Sequence, residues 1–141
     1  MILKYNPGVW LGSITWLGSI TVMSSTMITT AFIPVNDPSA AARWYSQILG
    51  LDILSTDNWS AVLGNGAGST SLTLLGPESG IRATPGLKWA TCNFLVQNLA
   101  GKRAELEQQG IPVGAVEGSA DVCLFFTLAD PDGNTLLLTD R

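Results

Sequence analysis

The sequence predicts an α+β fold: two βαβββ modules that form a concave mixed-sheet cleft, with the helices outside. Three observations carry that expectation. Two helix-start signals, Asp37-Pro38 and Asn98-Leu99, stand 61 positions apart. The glycines that would close those helices, Gly50 and Gly110, stand 60 apart. Each predicted helix follows one β-rich run and precedes three more. Agreement between independent cap signals at one spacing points to an internal duplication.

Taken in order, Thr30–Val35 is a β-rich run that ends at Asn36-Asp37-Pro38. Asp37 is a good N-cap, and Pro38 suits the first helical position because its missing N–H would be unpaired there anyway. Ala41, Trp44, Tyr45, Ile48 and Leu49 then fall on one helical face, with Trp44 expected in the core. Gly50 supplies the left-handed closing residue. Three strands are expected at 51–55, 60–63 and 69–75, separated by Asn/Gly-rich turns. Residues 77–86, poor in apolar side chains, look like a linker. The order then repeats: a strand at 88–96, a helix from Leu99 to Gln109 with Leu99 and Leu106 on one face, and strands at 111–117, 122–129 and 134–140. The domain reading is an N-terminal extension, 1–28, followed by one domain, 29–141, with modules 29–76 and 87–141.

Composition narrows the chemistry. The 141 residues carry 13% charged side chains, a net charge of −4 and no histidine. Length and apolar content suit one globular domain. Seven Lys and Arg against eleven Asp and Glu leave no basic footprint for nucleic acid. Without histidine, Ser–His and Cys–His nucleophile pairs are excluded, and any zinc site would rest on carboxylates and two cysteines. Cys92 and Cys123, 31 positions apart in apolar contexts, read as plain thiols in a reducing, cytoplasmic setting.

The N-terminal extension holds a tandem hexapeptide, WLGSIT at 10–15 and again at 16–21. Lys4 is its only charge. It lacks the cleavage site of a secretory signal and the continuous apolar run of a membrane span, so no membrane partner is expected. Its Trp-, Ile- and Thr-rich stretches suit packing on a strand or on a partner subunit.

With the duplicated module, the Val35-Asn36-Asp37 start, Trp44-Tyr45 leading to Leu49-Gly50-Leu51, and the closing Asp130-Pro131-Asp132-Gly133-Asn134, the chain resembles the vicinal oxygen chelate superfamily over residues 29–141. That group includes glyoxalase I, extradiol dioxygenases, and fosfomycin- and bleomycin-resistance proteins. The resemblance implies four metal-ligand positions, usually His and Glu. Seven residues before Asp37 stands Thr30, and five before Val96 stands Thr91. The family's closing glutamate position holds Leu137, and the fourth position falls on Thr73. Threonine hydroxyls are weak neutral donors and leucine has none, so neither a metal nor another cofactor is expected there.

Alternation along strands extends the reading, since residues i and i+2 share a face. Thr30, Phe32 and Pro34; Thr91, Asn93 and Leu95; Ser71, Thr73 and Leu75; and Thr135, Leu137 and Thr139 are expected to line the cleft. It then has apolar walls, a few neutral hydrogen-bonding groups and no ionisable group, a composition suited to a small ligand. Trp59 and Trp89 are candidates for stacking at its mouth. The remaining charges, Asp130 and Asp132 among them, are assigned to solvated faces, caps and turns. The functional expectation is non-catalytic binding of a small apolar or aromatic molecule, resembling bleomycin-resistance-type antibiotic sequestration, by a homodimer. The alternative is a lyase, isomerase or dioxygenase working without the usual metal site, with Tyr45, Cys123 and Glu117 as its candidate acids or bases.

Overall fold

The computed structural model describes residues 25–66 and 70–141; most of the N-terminal extension, including both hexapeptides, lies outside this set. The first module contains β1 (Thr30–Pro34), α1 (Pro38–Leu49), β2 (Asp52–Thr56), β3 (Ser60–Gly64) and β4 (Ser71–Leu75). The second contains β5 (Asn93–Leu95), α2 (Leu99–Gln108), β6 (Glu117–Ser119), β7 (Cys123–Ala129) and β8 (Thr135–Thr139). The strands form two four-stranded sheets of matching order, β1-β4-β3-β2 and β5-β8-β7-β6. In each, the first strand runs parallel to the last and the remaining pairs are antiparallel. The α+β duplication therefore stands as the cap spacing predicts.

Both helices start and stop for the predicted reasons. The Asp37 carboxylate accepts from the backbone N–H groups of Ser39 and Ala40, and Gly50 at φ 73° donates to the Ser46 carbonyl. Asn98 caps α2 by accepting from Gly101 N–H. At its far end Gly110 (φ 79°) donates to the Glu107 carbonyl and Ile111 to that of Leu106, the paired bonds of a Schellman stop.

The helix-facing sides of both sheets merge into one hydrophobic core. Ile33, Leu72 and Leu74 from the first module meet Phe126, Leu136 and Leu138 from the second, with Tyr45, Ile48 and Leu106 packed from the helices. Each large side chain buried this way contributes about 1.5–3 kcal/mol relative to exposure. On α1 the fully buried aromatic is Tyr45. Trp44 is half-buried, packs against this core and stacks edge-on against the Tyr45 ring at 5.1 Å.

Two strands are shorter than their sequence pattern suggests. β5 begins only at Asn93, because Leu87 already accepts the Thr135 N–H and residues 88–92 then loop out before pairing resumes at Asn93 opposite Leu137. β6 occupies Glu117–Ser119 rather than 111–117, with an isolated bridge at Val113 to Leu128. Gly114 donates to the Thr127 carbonyl between these points, so the edge is interrupted rather than absent.

Candidate functional site

Strand register defines the face of each sheet that points away from the core. Cα partners Thr30–Ser71, Phe32–Thr73 and Pro34–Leu75 put those six side chains on one face of the first sheet, joined by Val62 and Ser60 of β3. In the second sheet the partners Asn93–Leu137–Thr127 and Leu95–Thr139–Phe125 do the same. Phe32 is 52% exposed and Leu95 70%, whereas Ile33 and Leu138, one step along each strand pair, are buried. The contrast is sharpest on the edge strands β1 and β5, whereas Pro34, Ser60, Thr73, Leu75 and Thr139 on the same faces are buried.

The two modules also align internally. Val35 N–H donates to the Leu75 carbonyl and Val96 N–H to that of Thr139, each at 2.8 Å. Counting back from these bonds matches Phe32 with Asn93 and Thr73 with Leu137, and places Thr91 at the position of Thr30. Thr91, however, lies in the looped-out stretch before β5 and is exposed.

The polar groups on these faces bond to one another. Thr30 Oγ1 and Thr73 Oγ1 are 2.7 Å apart, and Thr30 Oγ1 also donates to the Ser71 carbonyl at 3.1 Å. Asn93 Nδ2 donates to Thr139 Oγ1 at 3.3 Å. Such a donor set does not fit a divalent metal. Its oxygens are neutral and already paired, Leu137 adds no donor, and nothing offsets the cation's charge. Among the described residues no group of three or more His, Cys, Asp or Glu side chains comes together.

One expectation about the cleft needs correction. Glu117 on the edge strand β6 is the Cα partner of Phe125, so a carboxylate does share this face, at its outer rim. The other two candidate acids or bases lie elsewhere. Tyr45 is fully buried on the core side, and burial plus the bond from its hydroxyl to Asp130 Oδ2 (2.6 Å) push its pKa far above the ordinary tyrosine value. Cys123 is half-buried and donates weakly to backbone carbonyls. Burial also raises the Cys92 thiol, which keeps it from acting as a thiolate nucleophile.

Asp130 is itself a correction. Assigned from sequence to a solvated turn, it is 5% exposed and collects four donors: the Tyr45 hydroxyl, Asn134 Nδ2, and the backbone N–H groups of Asp132 and Asn134. The DPDGN segment is thus more than a hairpin turn. It closes onto α1 through Tyr45 and onto β1 through Asn134 Nδ2, which donates to the Pro34 carbonyl at 2.8 Å.

Two cavities accompany these faces. One of about 600 Å³ lies at the seam between modules, with Ala31, Leu49, Cys92, Asn93, Leu95 and Lys102 among its lining. The other, of about 410 Å³, lies on the exposed face of the first sheet, between Phe32, Pro34 and Leu75 and the segment Ile81–Leu87. Of the nine sequence-predicted ligand residues, Asn93 and Leu95 line the first and Phe32 the second; Thr30, Thr73, Thr91, Leu137, Trp59 and Trp89 line neither. Sequence reading missed Ile81, since residues 77–86 looked like a linker, and Leu87, which it left at the start of the second module just before the expected strand at 88–96. Two isolated branched residues in a Pro/Gly-rich stretch were the available signal.

The family model for the Glyoxalase/Bleomycin resistance protein/Dioxygenase superfamily matches residues 26–138. The chain belongs to this superfamily. Solved structures agree on the fold. A superfamily member from Sphaerobacter thermophilus is 19% identical, with TM-score 0.68 and coverage of 82% of this chain and 98% of that one. A lactoylglutathione lyase from Agrobacterium tumefaciens gives 18%, 0.65, 82% and 93%. An antibiotic binding protein from Streptomyces gives 21%, 0.64, 83% and 97%. No curated protein matches the chain. The superfamily spans lyases as well as resistance and antibiotic-binding proteins, so membership leaves both catalysis and sequestration on the table. No helix among the described residues is long and apolar enough to cross a membrane.

Proposed function

We propose that this superfamily member binds a small uncharged, apolar or aromatic molecule without transforming it, in the manner of antibiotic sequestration, and does so as a homodimer. The observation that carries the reading is the cleft face of the first sheet. Threonine hydroxyls there satisfy each other beside a half-exposed Phe32, while Asp52 and Glu117, carboxylates that share these faces, stand apart on the edge strands β2 and β6. The exposed apolar groups on both sheets, Phe32 and Leu95, favour burial against a ligand or a second subunit.

A thermal-shift series with uncharged polycyclic antibiotics tests the reading. At 100 times its dissociation constant, a ligand bound to the native state adds about 2.7 kcal/mol, a shift of several degrees that grows with concentration. The recovered compound should be chemically unchanged. Chromatography that finds it converted, or elemental analysis that finds one equivalent of Zn, Ni, Mn or Fe held per chain, overturns the proposal. Sedimentation equilibrium should return twice the chain mass; a monomer at micromolar concentration removes the homodimer part.

A further inference from the structure

The pocket beside Phe32 has a wall that belongs to neither sheet. After β4 the chain forms a single 3-10 turn (Pro77–Ser79) and passes beside the cleft face through Ile81, Ala83 and Thr84 to Leu87. Both ends of this strap are pinned. Gly76 N–H donates to the Trp59 carbonyl at 2.9 Å. At the other end Asn134 Oδ1 accepts from Gly86 and Leu87 N–H at 2.9 and 3.0 Å, and the Leu87 carbonyl accepts from Thr135. The same Asn134 side chain donates to the Pro34 carbonyl, so one amide holds the strap and the strand that face each other across the cavity.

The lining of this pocket is apolar but for one group. Phe32, Pro34, Leu75, Ile81, Ala83 and Leu87 surround it, and Thr84 carries the one polar side chain in the lining. Thr30 and Thr73, which bond each other on the same sheet face, stand outside that lining. A threonine hydroxyl both donates and accepts, so Thr84 can pair with one ligand hydroxyl.

We propose that this strap pocket is a ligand subsite for an uncharged fused-ring compound with one hydroxyl. The rings lie between Phe32 and Ile81–Leu87, and the hydroxyl meets Thr84, the polar side chain of the lining. The assignment rests on the binding reading above and adds its location and ligand class. A charged group in the pocket would lose its hydration with no partner in the lining. A polypeptide would bring amide groups that nothing there pairs. A hydrocarbon ring system loses neither, and about 410 Å³ gives it room. Asn134 acts as a positioning residue for both walls.

Isothermal titration with four probes sharing one ring system tests this: 1-naphthol, naphthalene, 1-naphthalenesulfonate and 1-naphthylmethylammonium. 1-Naphthol should bind at one site per chain, at least about tenfold more tightly than either charged probe. Ile81→Asn, at a half-exposed position whose replacement leaves the core intact, should weaken 1-naphthol about tenfold by removing an apolar wall. Thr84→Val should bring 1-naphthol down to the affinity of naphthalene, and Val122→Ser, at an exposed site away from both cavities, should change nothing. Equal affinity for a charged probe overturns the ligand class. Binding that resists Ile81→Asn yet falls with Leu95→Ser overturns the location and moves the ligand to the seam. If 1-naphthol fails while antibiotics still raise the melting temperature, the subsite alone falls; if both fail, the binding reading falls with it.

Discussion

Asp130→Ala is expected to cost about 4 kcal/mol. The carboxylate is buried and accepts four hydrogen bonds, so its removal strands the Tyr45 hydroxyl, the Asn134 amide and the Asn134 N–H in the interior and leaves the half-buried Asp132 N–H without its acceptor. Each stranded donor keeps its desolvation cost without its bond. Tyr45→Phe provides the contrast. It removes one donor from an acceptor that retains three, so about 1–2 kcal/mol is expected. Chemical denaturation of the two variants side by side separates a network centred on Asp130 from simple packing around the tyrosine ring. Equal losses would sink the network account.

The same tyrosine sets a high-pH limit. Burial first, and then the bond to Asp130, raise its folded-state pKa above the unfolded value of 10.0. A group whose folded pKa is raised contributes its full stability below the unfolded pKa. Above pH 10 the unfolded chain releases the tyrosine proton while the native chain keeps it. Stability then falls by up to about 1.4 kcal/mol per pH unit from this group alone. Denaturation between pH 9 and 11 should show a steeper decline for the parent protein than for Tyr45→Phe. Parallel curves would mean that the hydroxyl ionises freely in the folded state.

What the sequence reveals, and what it conceals, follows from the range of the interactions involved. Caps are local, and Asp37, Gly50, Asn98 and Gly110 act within a turn of their own positions. The duplication that rests on their spacing was therefore legible. Alternation is also local, so Phe32 and Leu95 could be placed on the exposed face and Ile33 on the core face without coordinates. Strand ends depend on partners far away in sequence. β5 was expected to start at Lys88 because Lys88–Cys92 has a plausible strand pattern, yet the Thr135–Leu87 bond shifts the register and loops those residues out. Asp130 and Asn134 were hidden for a related reason. DPDGN has the composition of any tight turn, and only contacts 85 and 100 positions away, to Tyr45 and Pro34, distinguish a buried clamp from a solvated hairpin. The strap escaped notice because low apolar content signals a linker, although two well-placed residues suffice to wall a pocket.

Asn134 is where stability and the proposed site meet, and its two replacements should behave differently. Asn134→Ala removes the acceptor for Gly86 and Leu87 and the donor to Pro34 and Asp130, from a side chain only 1% exposed. A loss of about 3–4 kcal/mol is expected. Because the strap end is freed, amide exchange at Gly86 and Leu87 should accelerate more than in the core strands. Asn134→Asp keeps the acceptor for the strap but sets a second carboxylate against Asp130, where Nδ2 now lies 2.9 Å from Oδ2. Two carboxylates at that separation cannot both ionise cheaply, so folding raises the pKa of one of them. A raised carboxylate pKa means that stability is retained in acid and lost as pH rises. Asn134→Asp should therefore be weakest near pH 8 and recover toward the parent as pH falls to about 4, whereas Asn134→Ala should show a pH-independent deficit. Melting curves of both variants across that range decide the matter. A flat profile for Asn134→Asp would mean that solvent reaches Asp130, and that the clamp between strap and strand is looser than its hydrogen bonds imply.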